Sequence, residues 1–293
     1  TVNVIANSEL IINGKKVNSE KITPEFLSDV IHEAEGIEAN VATGYHAIEF
    51  LLWGQDLNGN SAGKGQRRAT DFDLAKCTGG NCDRRVAYLH AASKLLVSDL
   101  EEMVDQWREG GKAVKYLEAN QARALGAMIM GMGSLSYGEL AGERMQLGLF
   151  LNDPEEEHDC FSDNTHNSHY YNQIGISNVY HGKYRRINGD VVGGTSLAEY
   201  VRMLEPQLSG EVEAKIGGAT VALAAMRSRA ESREAYDQML AVNNAEGNAA
   251  IQASVDALVA QAKALEKIIV PLGIEGVNFE GSDSLDNPQE VFK

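Results

Sequence analysis

Residues 83–107 read DRRVAYLHAASKLLVSDLEEMVDQW. Val86, Leu89, Leu95, Leu96, Leu100, Met103, Val104 and Trp107 recur mostly at steps of three and four, the spacing that gathers apolar side chains on one face of an α-helix. Asp83 stands where a helix start wants a side-chain acceptor. Elsewhere the long segments are rich in Ala, Leu, Glu and Gln, all good helix formers, and prolines number only five in 293 residues. The predicted fold class is all-α.

Two Asn-Gly pairs interrupt this pattern. Ile12-Asn13-Gly14-Lys15 and Ile187-Asn188-Gly189-Asp190 each set the pair between apolar or extended residues, the strongest short-range signal for a β-hairpin. A helix start follows both, at Pro24-Glu25-Phe26-Leu27 and at Ser196-Leu197-Ala198-Glu199, with capping residues ahead. The shared Ile-Asn-Gly-x-x-Val points to an internal repeat. The expected architecture is two helical bundles related by that repeat, each with a short β-hairpin insertion. Gly110-Gly111 breaks the periodicity and marks the boundary. The first bundle is thus expected over 1–111, the second over 112–280 and a tail over 281–293, with everything after Gly273 loosely ordered. The second bundle has a helical lead-in from Lys112 to about Leu151, an acidic loop over 152–167 and a helix near 168–180; later helices are expected near 206–226 and 246–269. The first bundle has no such lead-in, so the repeat implies about 70 further helical residues ahead of Thr1, making the chain a fragment or one piece of a nicked protein.

Acidic residues outnumber basic ones by 42 to 26, for a formal net charge of −16. Such a surface repels phosphate backbones and anionic headgroups, which argues against nucleic acid as a partner. No run reaches the roughly 18 apolar residues a membrane span needs, and Thr1-Val2-Asn3 is no export signal. Cys77 and Cys82 bracket Thr78-Gly79-Gly80-Asn81, a loop flexible enough for a disulfide of the kind an oxidising compartment permits. A reduced structural pair is the other reading. Cys160 sits alone.

Gly44-Tyr45-His46-Ala47-Ile48-Glu49 carries the chemistry. Residues three apart share a helix face, so His46 and Glu49 can offer a nitrogen and one or two oxygens to one divalent cation. The plainer reading is a half-buried helix histidine bonded to Glu49. No His-Glu-x-x-His, Gly-x-Ser-x-Gly or phosphate-cradling loop occurs, so remaining metal ligands must come from elsewhere and a serine hydrolase is disfavoured.

Gly44-x-His46-x-x-Glu49 with Phe50-Leu51-Leu52-Trp53-Gly54, then residues 138–145 (GELAGERM) and 157–167 (EHDCFSDNTHN), together resemble the imelysin family, also catalogued as peptidase M75-like. The resemblance covers about Gly44 to Met203. It implies a helical two-domain fold and an exported protein, periplasmic or outer-membrane-associated, tied to iron acquisition. It also implies a metal site at the domain interface in which His46 and Glu49 hold iron or zinc. Glu143, Arg144, Ser162, Asp163 and His166 lie in the later motifs and join the site as orienting groups, further donors or a lid. The ligand would be a metal ion or an iron-containing molecule, and the partners other iron-uptake envelope proteins or a separate N-terminal segment. The alternative is a zinc metallopeptidase with Glu49 as ligand or general base; a haem- or peptide-binding module ranks lower.

Three other groupings carry less. His166 and His169 repeat the i,i+3 relation within a polar loop, and His32 and Glu35 form a second His-x-x-Glu without supporting context. The glycines at 126, 131, 133, 138 and 142 each cost a helix about 1 kcal/mol relative to Ala, which predicts close helix packing along that stripe. Met128, Met130 and Met132 are expected in the core.

Overall fold

A computed structural model describes residues 3–292. They form two compact units, Thr1–Leu57 with Lys64–Lys115, and Asn58–Gly63 with Tyr116–Lys293. The chain is mostly helical, with two short antiparallel hairpins.

In the first unit, strands Glu9–Ile12 and Lys15–Asn18 pair with Ile12 opposite Lys15. Asn13 and Gly14 both lie at positive φ, 50° and 73°, the type I′ geometry that matches strand twist and that Asn-Gly tolerates best. Thr23 caps the short Pro24–Phe26 helix, its hydroxyl accepting from the Phe26 amide. The long helix runs Cys82–Trp107. Asp83 does not cap it: Asn81, left-handed at φ 50°, is the capping position, and Asp83 falls in the first turn, where its charge suits the helix dipole. Leu10, Ile12, Ile31 and Ala42 form one small core, and Leu27, Ala91 and Ala92 another. The expected apolar stripe is covered only in part: Val86, Leu89, Leu95 and Leu96 are half-buried, and Leu100, Met103, Val104 and Trp107 in the second half of this helix are exposed.

Arg84 organises the start of the unit. Its guanidinium donates to the carbonyls of Val4, Ile5, Asn7 and Ser19, with Nη2 at 2.8 Å from both Asn7 and Ser19. A single planar cation thereby gathers acceptors of the irregular chain, of which the Asn7 carbonyl also accepts from the Ser19 hydroxyl at 2.7 Å. Arg84→Met is expected to cost about 2–3 kcal/mol, the worth of charge-assisted hydrogen bonds to these carbonyls. Hydrogen exchange should show the loss concentrated in residues 3–20; uniform protection would count against this role.

In the second unit the helix Gln121–Ser134 becomes π-helical over Leu135–Gln146 and reverts to α over Leu147–Leu151. Helix Thr165–His181 begins earlier than expected, so Thr165, His166 and Asn167 occupy its first turn rather than the acidic loop. The second hairpin pairs Lys183–Arg185 with Val191–Gly193. Ile187 lies fully exposed in its loop, which the Arg186 amide closes by donating to the Asp190 carbonyl. Ser196 and Glu199 then form a reciprocal capping box on helix Leu197–Leu204. Helices Pro206–Ser232 and Ala245–Glu266 complete the bundle. Met132 joins its core, whereas Met130 is exposed, contrary to expectation.

Inside this bundle Gln173 and Gln261, neither exposed, exchange amide hydrogen bonds at 2.7 and 2.9 Å. Gln261 also donates to Ser136 Oγ at 2.9 Å, and Ser136 donates to the Leu258 carbonyl. The π-helix, the 165–181 helix and the 245–266 helix are thus tied by one closed polar network.

The reading of everything after Gly273 as loosely ordered does not hold for residues 274–286. They lie along the glycine stripe, where Cβ atoms on Gly133, Gly138 and Gly142 would fall 2.2 Å from the Phe279 ring, 2.6 Å from the Glu280 carbonyl and 2.3 Å from Ser282 Cβ. Hydrogen bonds fix the segment: the Glu280 amide donates to Ser134 Oγ at 3.0 Å, Ser284 Oγ to the Gly142 carbonyl at 2.9 Å, and Tyr137 to Asp286 at 2.6 Å. The glycines do mark a close approach, but what approaches is an irregular strap ending in the single helical turn Asp283–Asp286, and not a long packed helix. No described helix is long and apolar enough to cross a membrane.

Candidate functional site

Helix Gly44–Trp53 carries His46 and Glu49. Gly44 starts it at φ 80°, a left-handed conformation that a side chain would strain, so this glycine sets the direction from which the helix leaves. Leu51 is buried and Ile48 packs on the Leu27, Ala91 and Ala92 cluster, which fixes the rotation of the helix. At the far end the Gly54 amide donates to the Phe50 carbonyl, and the Arg67 amide to that of Trp53 at 2.8 Å. Gly65 lies so close that a Cβ there would meet the Gly54 carbonyl oxygen at 2.5 Å.

On this anchored turn His46 Nδ1 lies 3.0 Å from Glu49 Oε2. Glu49 is buried while the His46 side chain is 40 % exposed. The carboxylate orients the imidazole and favours the tautomer with its proton on Nδ1, which makes Nε2 the basic nitrogen. One imidazole nitrogen and one carboxylate on one turn fit a borderline divalent cation such as iron or zinc.

The other His-x-x-Glu is not a pair. Glu35 is left-handed at φ 67° and accepts from the Asn13 amide, while His32 Nδ1 accepts from Ala42. Cys77 and Cys82 are joined as a disulfide.

The remaining candidates lie in the second unit. Arg144 donates from Nε and Nη2 to Glu139 Oε2 at 3.2 and 3.0 Å, an i,i+5 pair that the π-helical spacing permits; Glu143 is exposed. Ser162 is half-buried, and its amide donates to the Asp159 carbonyl. His166 is half-buried beside Asn167, and burial lowers its pKa. Asp163 comes together with Glu157 and Asp237, neither of which was singled out in the sequence as a site residue. The acidic run at 155–157 beside the Phe161-Ser162-Asp163 stretch was a visible signal for Glu157; nothing local marked Asp237, which is distant in the chain.

His169 is a core histidine and not a loop ligand. It is fully buried, edge-on to Tyr236 with ring centroids 5.3 Å apart. Burial, followed by the charges of His158 and Arg144, pushes its pKa down to about 3. The unfolded chain binds this proton near pH 6.5 and the native state only near pH 3, so stability falls as pH drops through that window, by about 1.4 kcal/mol per unit. Between pH 6.5 and 5 the loss is expected to reach about 2 kcal/mol, and His169→Phe should remove that share of the acid slope in urea melts. An unchanged slope would refute it.

The fold and this turn define a class: a helical protein presenting a His-x-x-Glu pair on one anchored helical turn. The family model described as Peptidase_M75: Imelysin matches residues 7–265, and the chain belongs to the imelysin family. A comparison with curated proteins finds no match.

Proposed function

We propose that this chain is a metal-binding, non-catalytic imelysin of bacterial iron acquisition, in which His46 and Glu49 hold a divalent ion, iron or zinc. The observation that carries the reading is the 3.0 Å contact between His46 Nδ1 and Glu49 Oε2 on one helical turn. A bound ion would supply a positive centre for an iron-containing ligand, or be the cargo itself. The ion would take the place of the Nδ1 proton between these two atoms, and the burial of Glu49 keeps its carboxylate in position to share it. The Cys77–Cys82 disulfide supports an oxidising, cell-envelope location.

The family's peptidase label supports a second reading, zinc-dependent proteolysis with Glu49 activating water. A catalytic zinc takes three protein ligands and an open position, so this reading needs a further donor besides the two on this turn.

Metal content after iron or zinc loading decides the matter. Stoichiometric metal in the wild type, lost in both His46→Ala and Glu49→Ala, is expected. Equal, negligible metal in all three would overturn the site. A chelator-sensitive cleavage activity abolished by Glu49→Gln would replace the binder with the peptidase.

A further inference from the structure

We propose that Glu157, Asp163 and Asp237 form a second cation site, lying wholly within the second unit and taking a hard divalent ion, calcium or manganese. One carboxylate oxygen from each residue lies within 4.8 Å of the others. Oxygens bound about 2.4 Å from a common calcium ion are at most about 4.8 Å apart, so the three fit a single coordination sphere.

The cluster is not a solvated acidic patch. Glu157 and Asp237 are only 5 % and 1 % exposed. Thr165 donates to Glu157, but Glu157 Oε2 is buried with no hydrogen-bond partner among the described residues. The neighbouring Tyr236 hydroxyl is likewise buried and unpartnered, and the Glu157 charge, after burial itself, raises its pKa. Buried polar atoms are nearly always satisfied, and orphans call for a water or an ion. Burial, and then the charge of Asp237, pushes Glu157 up to about 9.

The frame is fixed in advance. Asn60 donates to the Asp237 carbonyl at 2.8 Å, Asn152 to that of Leu240 at 2.8 Å, and Asn248 to that of Met239 at 2.6 Å, so three amides hold the short Tyr236–Leu240 helix. Asp163 takes a left-handed φ of 55°. An all-oxygen donor set selects hard cations, and the burial of Glu157 and Asp237 leaves little place for the several waters that magnesium keeps. His46 and Glu49, by contrast, offer a nitrogen and suit iron or zinc.

The test is calorimetric titration of the chelator-stripped full chain with calcium and, separately, manganese. It is run in the His46→Ala/Glu49→Ala background, so that the two sites report independently. One ion per chain is expected there, with a raised melting temperature. Adding Glu157→Gln or Asp237→Asn should weaken binding roughly tenfold or more, the least that loss of a ligand gives when outer-sphere losses already reach that scale. Glu157→Gln mimics the neutral carboxyl in shape, so it is expected to fold and is decisive if Asp237→Asn does not. No binding of either ion at millimolar concentration, or equal affinity with Glu157→Gln, would overturn the proposal. Neither result bears on iron or zinc at His46.

Discussion

Gln261→Leu is expected to destabilise the protein by about 3–5 kcal/mol, because three buried hydrogen bonds worth about 1 kcal/mol each are lost and Gln173 Oε1 is left buried without its donor, at a further cost of about 1–3 kcal/mol. Gln261 both donates to and accepts from Gln173, and donates to Ser136. All three residues are fully buried, so no water replaces the lost partner. Removing both sides of a buried hydrogen bond costs far less than removing one. The double variant Gln173→Leu/Gln261→Leu should therefore recover much of the stability lost in the single one. Urea denaturation of the four species closes the cycle, and strict additivity would mean that the amide pair contributes nothing as a pair.

Gly138→Ala should be the next most damaging change, at about 3 kcal/mol, combining overpacking of 1–3 kcal/mol with lost strap hydrogen bonds of about 1 kcal/mol each. The added methyl would lie 2.6 Å from the main-chain oxygen of Glu280, which no rotamer change relieves. Alanine is the better helix former by about 1 kcal/mol, so the steric term wins only if the strap is firmly seated. Gly131→Ala is the matched control: a Cβ there meets nothing within 4 Å, and that variant should gain roughly 0.5–1 kcal/mol. Limited proteolysis supplies a second readout, with new cleavage in 274–286 for Gly138→Ala alone. Equal melting temperatures for the two variants would show that the strap adds no stability.

The local rules were legible where one sequence signal decides one structure. Asn13-Gly14 specifies its turn because few residues tolerate two successive left-handed positions. The 82–107 helix is read from its periodicity alone, although that periodicity says nothing of what covers Val104 or Trp107. The His46–Glu49 contact follows from helical geometry once the helix is granted. The strap was illegible because an irregular segment without period carries no pattern of its own; its partner is a row of absent side chains, which signals a close approach and hides what makes it. The His169 environment and the Glu157–Asp237 encounter depend on tertiary burial between segments far apart in the chain. In sequence they look like surface histidines and an acidic loop, and only packing converts them into a neutral imidazole and a largely buried carboxylate cluster.

The strap also bears on how the molecule is made. Ser134 and the Glu280 amide that bonds it are 146 residues apart, so during synthesis the glycine face emerges long before anything can fill it. Ile129, Met132 and the backbone carbonyls of the π-helical turn must wait, incompletely covered, while the intervening helices form. Closing so long a loop is entropically slow. The second unit should therefore complete its core late, only once residues 274–286 have been made and have closed on the glycine face.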